Sequence, residues 1–214
     1  MRTVFKITIM EFSEKQLEIL HVAEKLFATS GFDGTSVRDI AHEAQVNVAM
    51  INYYFGSKDK LLDDLFTYRV EKFKMDESIL QLTIPVMDIL DEMVKSYIKY
   101  MNSSLAIYHI LAIEAGVKKR LMLSDSYKNL KKHNLNVISS ILQKGVDAGE
   151  FRSGNDPILI HATMMGTFMN FQMNRSFLKS ELNLTTDEEY SQYMESTLVT
   201  HLQRTIKALL TYEY

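Results

Sequence analysis

Two prolines and eight glycines punctuate a chain of 214 residues. Where breakers are this rare, long stretches run without an obligatory turn, and abundant Leu, Met, Lys and Glu then favour helix. The chain is therefore read as all-α. Hydrophobic residues make up 46% and charged residues 24%, an ordinary globular balance rather than a disordered one. The length suits one large domain or two small ones, with enough chain to bury a core.

Cysteine is absent. That removes disulfides, thiolate metal sites and cysteine nucleophiles together, and it is compatible with a reducing cytoplasm, where the protein is expected. No apolar run approaches the roughly 20 residues that a membrane span needs. The opening "MRTVFKITIM" lacks the long apolar core and small-residue cleavage site of a secretory signal. Residues 1–12 read as an extension, with Met10 as an alternative start. A net charge of −3 does not favour nucleic acid, but an acidic chain can still present a local basic site.

Helical spacing begins after Ser13, a suitable N-cap, with Leu17, Leu20, Ala23, Leu26 and Phe27 forming one apolar stripe. The stripe stops at "GFDG", where Gly31 ends the helix. In "TSVRDIAHEAQ", Ser36 and Asp39 have capping-box spacing, and Val37, Ile40, Ala41 and Ala44 form a small-residue face. Gln45-Val46 turns the chain, Asn47 caps "VAMINYYF", and Gly56-Ser57 breaks it again before Leu61, Leu62, Leu65 and Phe66. A short helix, a tight turn and a second short helix form the helix-turn-helix plan, whose second helix enters a DNA major groove. From Pro85 onward the helices lengthen, to roughly 86–102, 104–116, 125–148, 157–179 and 186–212. Pro157 suits a first helical turn with Asn155 or Asp156 as cap.

The stretch "LFATSGFDGTSVRDIAHEAQVNVAMINYYFGSKDKLL", residues 26–62, resembles the DNA-binding region of the tetracycline-repressor (TetR) family of bacterial transcription regulators. The resemblance lies in the "LF…G" end of the first helix, "TSVRDIA" in the second, the "YYF-x-SK" close of the third and the Leu pair opening the fourth. "LQKGVDAGEFRSGNDP" is a looser match to a stretch before the last two helices of such proteins. The resemblance implies an all-α homodimer. Residues 1–57 would form a three-helix DNA-binding domain, and 58–214 a larger helical domain for ligand binding and dimerisation.

Residue by residue, Ser36 and the amides opening the second helix suit a phosphate. Arg38 can bond a guanine edge, or it can be a solvated charge paired with Asp39 or Glu43; the family position favours the base. On the third helix Asn47, Val48, Ala49, Met50, Asn52 and Tyr53 face outward. Asn52 suits an adenine edge, and Val48, Ala49 and Met50 suit thymine methyls. Ile51 and Phe55 belong to the core. Tyr54 is open between packing and a phosphate bond. Lys58, at a helix start, is expected to clamp a phosphate, with Lys60 a weaker candidate. Over residues 35–60, Arg38, Lys58 and Lys60 are balanced by Asp39, Glu43 and Asp59. A monomer with so few phosphate contacts binds poorly, so DNA binding is expected to require the dimer.

In the remaining two-thirds, "PILIHATMMGTFMNFQM" is apolar on nearly every side, as in a helix buried all round. Ala162, Gly166 and Asn170 form a small-residue row. With Tyr193, Leu198, Leu202, Ile206 and Leu209 they are expected to make a two-fold interface. Tyr97, Met101, Tyr108, His109, Met122, His133, Met164, Phe168 and Phe171 can line a cavity for a flat apolar ligand, or simply fill a core. His109 and His133 lack a third ligand at metal spacing, so neither metal nor cofactor is expected. Lys118-Lys119-Arg120 and Lys131-Lys132 read as solvated faces, too far along the chain to join the helix-turn-helix.

The leading reading is a DNA-binding regulator, a repressor released from a palindromic operator by a small apolar or aromatic effector. One alternative is an α-helical enzyme acting on an apolar small molecule, against which stands the lack of any nucleophile–base pair, metal spacing or phosphate loop. Another is a dimeric interaction module without DNA affinity.

Overall fold

A computed structural model describes residues 12–111, 113–114, 118, 120 and 124–212. No strand occurs among the described residues. The helices are α1 (Glu14–Gly34), α2 (Val37–Glu43), α3 (Val48–Phe55), α4 (Lys58–Phe73), α5 (Val86–Asn102), α6 (Leu105–Leu111), α7 (Asp125–Asp147), α8 (Pro157–Met173), α9 (Arg175–Glu181), α10 (Asp187–Tyr193) and α11 (Val199–Thr211). No helix among the described residues is long and apolar enough to cross a membrane.

The chain divides into two compact units. The first holds α1 to α4 through Lys72, joined by Ala106–Lys128; the second holds Phe73–Leu105 and Asn129 onward. The boundary expected after residue 57 thus does not coincide with the packing. Leu61, Leu62, Leu65 and Phe66 of α4 are at most 2% exposed. The same helix is tied to α1 by the Arg69 guanidinium on Glu24 and by Tyr68 against His21. The row lies inside the first unit, where the Phe66 ring meets Tyr127 at 5.9 Å.

In the first unit, Ser13 opens α1 with a capping box: its hydroxyl accepts from the Gln16 amide and the Gln16 side chain accepts from the Ser13 amide. Helical turns reach Gly34, but Gly31 at φ 73° and ψ 162° lies outside the helical region and separates two helical pieces. That combination of angles is open to glycine and costs a side-chain-bearing residue about 1–3 kcal/mol. The regular α-helix therefore stops at Gly31, as the sequence expects, and residues 32–34 form a short helical turn beyond it.

In the second unit α5 carries an inward row, Ile89, Leu90, Met93, Val94, Ile98 and Met101, each at most 1% exposed. Pro85 precedes α5 and offers no side-chain cap. The Glu150 carboxylate takes that role, accepting from the Val86 and Met87 amides at 2.9 Å each. Glu150 is placed by the turn after α7, where the Glu150 and Phe151 amides both donate to the Gly145 carbonyl. The Phe151 ring then lies directly on Gly145, so that a Cβ there would stand 2.0 Å from it. The aspartate of the expected pair caps α8: Asp156 Oδ1 accepts from the Ile158 amide.

Two long helices expected from spacing are interrupted. The stretch 157–179 breaks at Asn174, whose backbone leaves the helical region and whose side-chain amide donates to the Asn170 carbonyl. The stretch 186–212 contains a π-helical turn at Met194–Leu198, an extra residue accommodated in the helix. The helix expected over 104–116 includes α6, Leu105–Leu111, and residues 113 and 114 are again helical, in a π turn.

Candidate nucleic-acid interface

The interface is built from helix ends. Ser36 caps α2: its hydroxyl accepts from the Asp39 amide at 3.1 Å, and the Asp39 carboxylate accepts from the Ser36 amide at 2.7 Å. The Ser36 hydroxyl and amide together hold the Asp39 carboxyl below its ordinary pKa range. At the far end the Val46 amide reaches the Ala41 carbonyl and Gln45 adopts φ 53°, reversing the chain within three residues. Asn47 then caps α3, its Oδ1 accepting from the Met50 amide at 2.8 Å. Ser57 caps α4 through the Lys60 amide.

Behind these ends Ile40, Ala41, Ile51 and Phe55 are at most 3% exposed and form the seal. In front, Ser36, Arg38, Asn47, Ala49, Asn52 and Tyr53 are exposed, Tyr53 by 84%. Val48, Met50 and Tyr54 are half-buried, and the Tyr53 and Tyr54 rings meet edge-on at 5.4 Å. Arg38 has no ion-pair or hydrogen-bond partner among the described residues, so its fork is available to DNA.

Lys58 is placed differently from the expectation of a phosphate clamp. Its ammonium donates to the Phe32 carbonyl at 2.9 Å and the Thr35 carbonyl at 2.8 Å, and it lies 4.2 Å from the Phe32 ring centroid. Two carbonyls and a ring face occupy the group, which makes it a tie between α4 and the approach to α2. Lys60 is likewise engaged, with Asp63 at 3.2 Å and Asp64 at 2.8 Å.

A further correction concerns Lys118 and Arg120, read from sequence as solvated charges. Arg120 bonds Glu114 and Asp33 at 2.6 Å each, and Lys118 reaches Asp33 at 3.1 Å. Both cations, Lys118 first, keep the Asp33 carboxyl below its ordinary pKa range. Lys119 lies outside the described residues.

In the second unit, Tyr97, Met101, Met164 and Phe168 of the expected ligand set are buried. Phe171 is half-buried, stacked on Tyr193 at 6.1 Å. His133 is tied to the Met75 carbonyl at 2.9 Å and lies 3.4 Å from Glu77. Tyr108, buried, and His109, exposed, are on α6 in the first unit; Met122 lies outside the described residues. Two open hollows of the second unit, of 530 and 620 Å³, are lined mainly by polar residues such as Asp88, Glu92, Arg175 and Glu195. None of the expected ligand residues lines either of them.

Sequence reading missed a polar chain inside this core. Asn134, 2% exposed, accepts from the Met75 amide and donates to the Phe73 carbonyl. Tyr97 Oη lies 3.5 Å from Asn134 and 3.4 Å from His161 Nε2. Burial, with the Lys131 charge second, pushes the His161 pKa down to about 4, so the imidazole is neutral at pH 7. Among the described residues no group of His, Asp or Glu could hold a metal ion.

The expected interface residues fall into two sets. Ala162, Gly166, Asn170 and Leu209 are exposed and Tyr193 is half-buried. Leu198, Leu202 and Ile206 are at most 2% exposed and fill their own unit's core, one residue per helical turn. The exposed apolar surface is instead extended by Ile158, Leu159, Met173, Phe177 and Tyr212, each more than half exposed. Within a single chain α8 therefore buries one side only. Its Ile160, Met164 and Phe168 face inward, and Leu159, Ala162, Gly166, Asn170 and Met173 face out.

Comparison with known proteins agrees with this layout. A family model of bacterial regulatory proteins of the tetR family matches residues 19–65, and one of the tetracyclin repressor-like C-terminal domain matches residues 85–201. The Fatty acid metabolism regulator protein of Bacillus subtilis is 29% identical over 158 residues, covering 72% of this chain and 79% of that relative. The HTH-type transcriptional repressor NicS of Pseudomonas putida is 31% identical over 151 residues, covering 69% of each chain. Among solved structures, the transcriptional regulator FadR from Bacillus subtilis in complex with stearoyl-CoA matches with a TM-score of 0.65 at 22% identity, covering 92% of this chain and 99% of that one. With the C-terminal model alone spanning more than half of the residues, the chain belongs to the tetR family of bacterial regulatory proteins.

Proposed function

We propose that this DNA-binding transcription regulator is a repressor that reads a palindromic operator as a homodimer and leaves it when an apolar acyl ligand binds its C-terminal unit. The observation that carries the reading is the exposed face of α2 and α3. Arg38, Ala49, Asn52 and Tyr53 stand on short helices whose caps are satisfied and whose apolar side is sealed. Arg38 supplies the guanine contact, Asn52 the adenine contact, and Val48, Ala49 and Met50 the methyl contacts. The exposed amides opening α2, the Ser36 hydroxyl and the Tyr53 and Tyr54 hydroxyls meet phosphates. With Lys58 and Lys60 engaged elsewhere, phosphate charge is scarce on each subunit, and two subunits are needed for useful affinity. The exposed row of α8, with Leu209 and Tyr212 of the last helix and its approach, is the surface offered to the second copy.

The acyl class rests on the relatives, one a regulator of fatty acid metabolism and one solved with stearoyl-CoA. Met101, Met164 and Phe168 supply a wall that can repack around a chain, and Tyr97, Asn134 and His161 offer polar atoms to its head. Release requires the ligand to bind the DNA-incompetent arrangement more tightly than the competent one.

Selection of binding sites from random duplexes with the purified chain at low salt should enrich a two-fold symmetric sequence. A long-chain acyl-CoA, but not CoA alone, should then release it. Failure to enrich any symmetric site would sink the DNA reading; an enriched site indifferent to acyl chains would sink only the ligand class.

A further inference from the structure

We infer that Arg120 is a positioning residue of the DNA-reading unit, supplied from far outside the helix-turn-helix to hold the approach to α2. The family model for the DNA-binding region ends at residue 65, yet residues 106–128 pack with α1 to α4 as one unit. Within that unit the Arg120 fork joins two carboxylates at 2.6 Å each, Glu114 on its own segment and Asp33 in the α1–α2 approach. The guanidinium also lies 4.5 Å from the Phe32 ring centroid. The same ring has the Lys58 ammonium at 4.2 Å. Phe32 is 5% exposed, and two cations meet its ring, one from the start of α4 and one from residue 120.

The placement matters because Phe32 and Asp33 lead directly into α2. Three residues after Asp33, Ser36 caps that helix at the end assigned to a phosphate. Thr35, 2% exposed, is fixed by its hydroxyl to the Gly31 and Leu26 carbonyls, and its own carbonyl takes the second Lys58 bond. A shift of Asp33 has no flexible length in which to dissipate before it reaches the α2 amides. The Asp33–Arg120 pair taken alone is a half-exposed ion pair of the kind that contributes little to stability. Its effect is expected on where α2 sits, more than on whether the unit folds. Glu114 anchors the other end: at 2% exposure its carboxylate needs the Arg120 charge, so the fork cannot drift to Asp33 alone.

The inference rests on α2 and α3 being the reading element, and the test separates the two. The variants Asp33→Asn, Arg120→Lys, Arg120→Ala and Asp33→Asn/Arg120→Ala are made in the full chain. Affinity is measured for the selected operator and for unrelated duplex, alongside Tm and amide exchange at Ser36 to Asp39. We expect Asp33→Asn and Arg120→Ala each to weaken operator binding about tenfold, with unrelated duplex changed by less than about twofold and the double variant losing clearly less than the two single losses added. Arg120→Lys, which retains charge but not the fork, should fall between. Exchange at the Asp39 amide should quicken in each. Asp33→Asn leaves the Glu114 pair intact but also releases Lys118. Lys118→Met is therefore made beside it and should hold operator affinity within about twofold. A loss equal to that of Asp33→Asn would overturn the assignment to Arg120. Unchanged operator affinity in Asp33→Asn, additive losses, or equal losses on both duplexes would overturn the inference. If the native chain selects no site, the reading element falls instead, and unchanged Asp39 exchange would by itself overturn the Arg120 tie.

Discussion

In the DNA-reading unit the side-chain polar groups of Ser36, Asn47 and Ser57 sit at helix ends, whereas in the C-terminal unit Asn134, His161 and Tyr97 bond in the middle of a core. The first arrangement fixes short helices locally and leaves their outer faces for a ligand. The second joins α5, α7 and α8 from within, and its stability depends on partners distant in sequence. Changes on the outer face of the first unit should therefore alter recognition with little effect on folding, and changes in the second should do the reverse.

The largest expected effect tests the second half of that contrast. Gly145→Ala drives a methyl into the Phe151 ring and should cost about 3 kcal/mol of stability, read by chemical denaturation. A loss below about 1 kcal/mol would show that the Phe151 turn yields easily. Next comes pH. Because the folded His161 pKa is about 4, the unfolded chain takes up a proton between about pH 6.5 and 4 that the folded chain does not. The His161 contribution to stability is intact above pH 6.5 and falls by about 1.4 kcal/mol per pH unit as pH drops towards 4. The stability difference between the native chain and His161→Gln should thus shrink by about 2 kcal/mol from pH 7 to pH 5; an unchanged difference would mean that His161 is solvated when folded.

On the reading face, Asn52→Ala should leave stability within about 0.5 kcal/mol and weaken the preferred operator by about 1–2 kcal/mol, relaxing preference at one base pair. A uniform loss over all sequences would move Asn52 from base to phosphate. The smallest effect concerns the residue that breaks the contrast. Lys58→Met removes two bonds to carbonyls and should lower stability by about 1 kcal/mol, a cost that a phosphate clamp would not show. Unchanged stability with a shallower salt dependence of binding would return Lys58 to the phosphates.

Much of the reading unit is visible in one sequence because its signals are local. A cap and its partner amide lie three residues apart for Ser13, Ser36 and Asn47, and the turn at Gln45 is bounded by Ile40 and Ile51, whose spacing marks them as core. What escaped is long-range. Lys58 bonds carbonyls 26 and 23 residues away, and Arg120 pairs with Asp33 across 87 residues; composition says nothing of either. In the C-terminal unit the spacing itself is ambiguous. With apolar residues on every side of α8, the sequence does not say that Met164 faces in and Met173 out. Nor does it say that Leu198, Leu202 and Ile206 lie inward while Leu209 stays exposed.

The turn after α7 has a practical consequence for anyone building on this scaffold. Within eight residues Gly145 receives the Phe151 ring and two amides, Glu150 closes the start of α5, and the Arg152 amide donates to the Leu210 carbonyl of α11. Four helices, α5, α7, α8 and α11, meet this stretch or leave from it. A tag or reporter domain spliced between Gly149 and Arg152 would detach one helix start, one buried ring and the end of the last helix together. Exposed Ser153 and Gly154 lie just beyond, where lengthening the chain interrupts only the Asn155 side-chain bond to the Arg152 carbonyl.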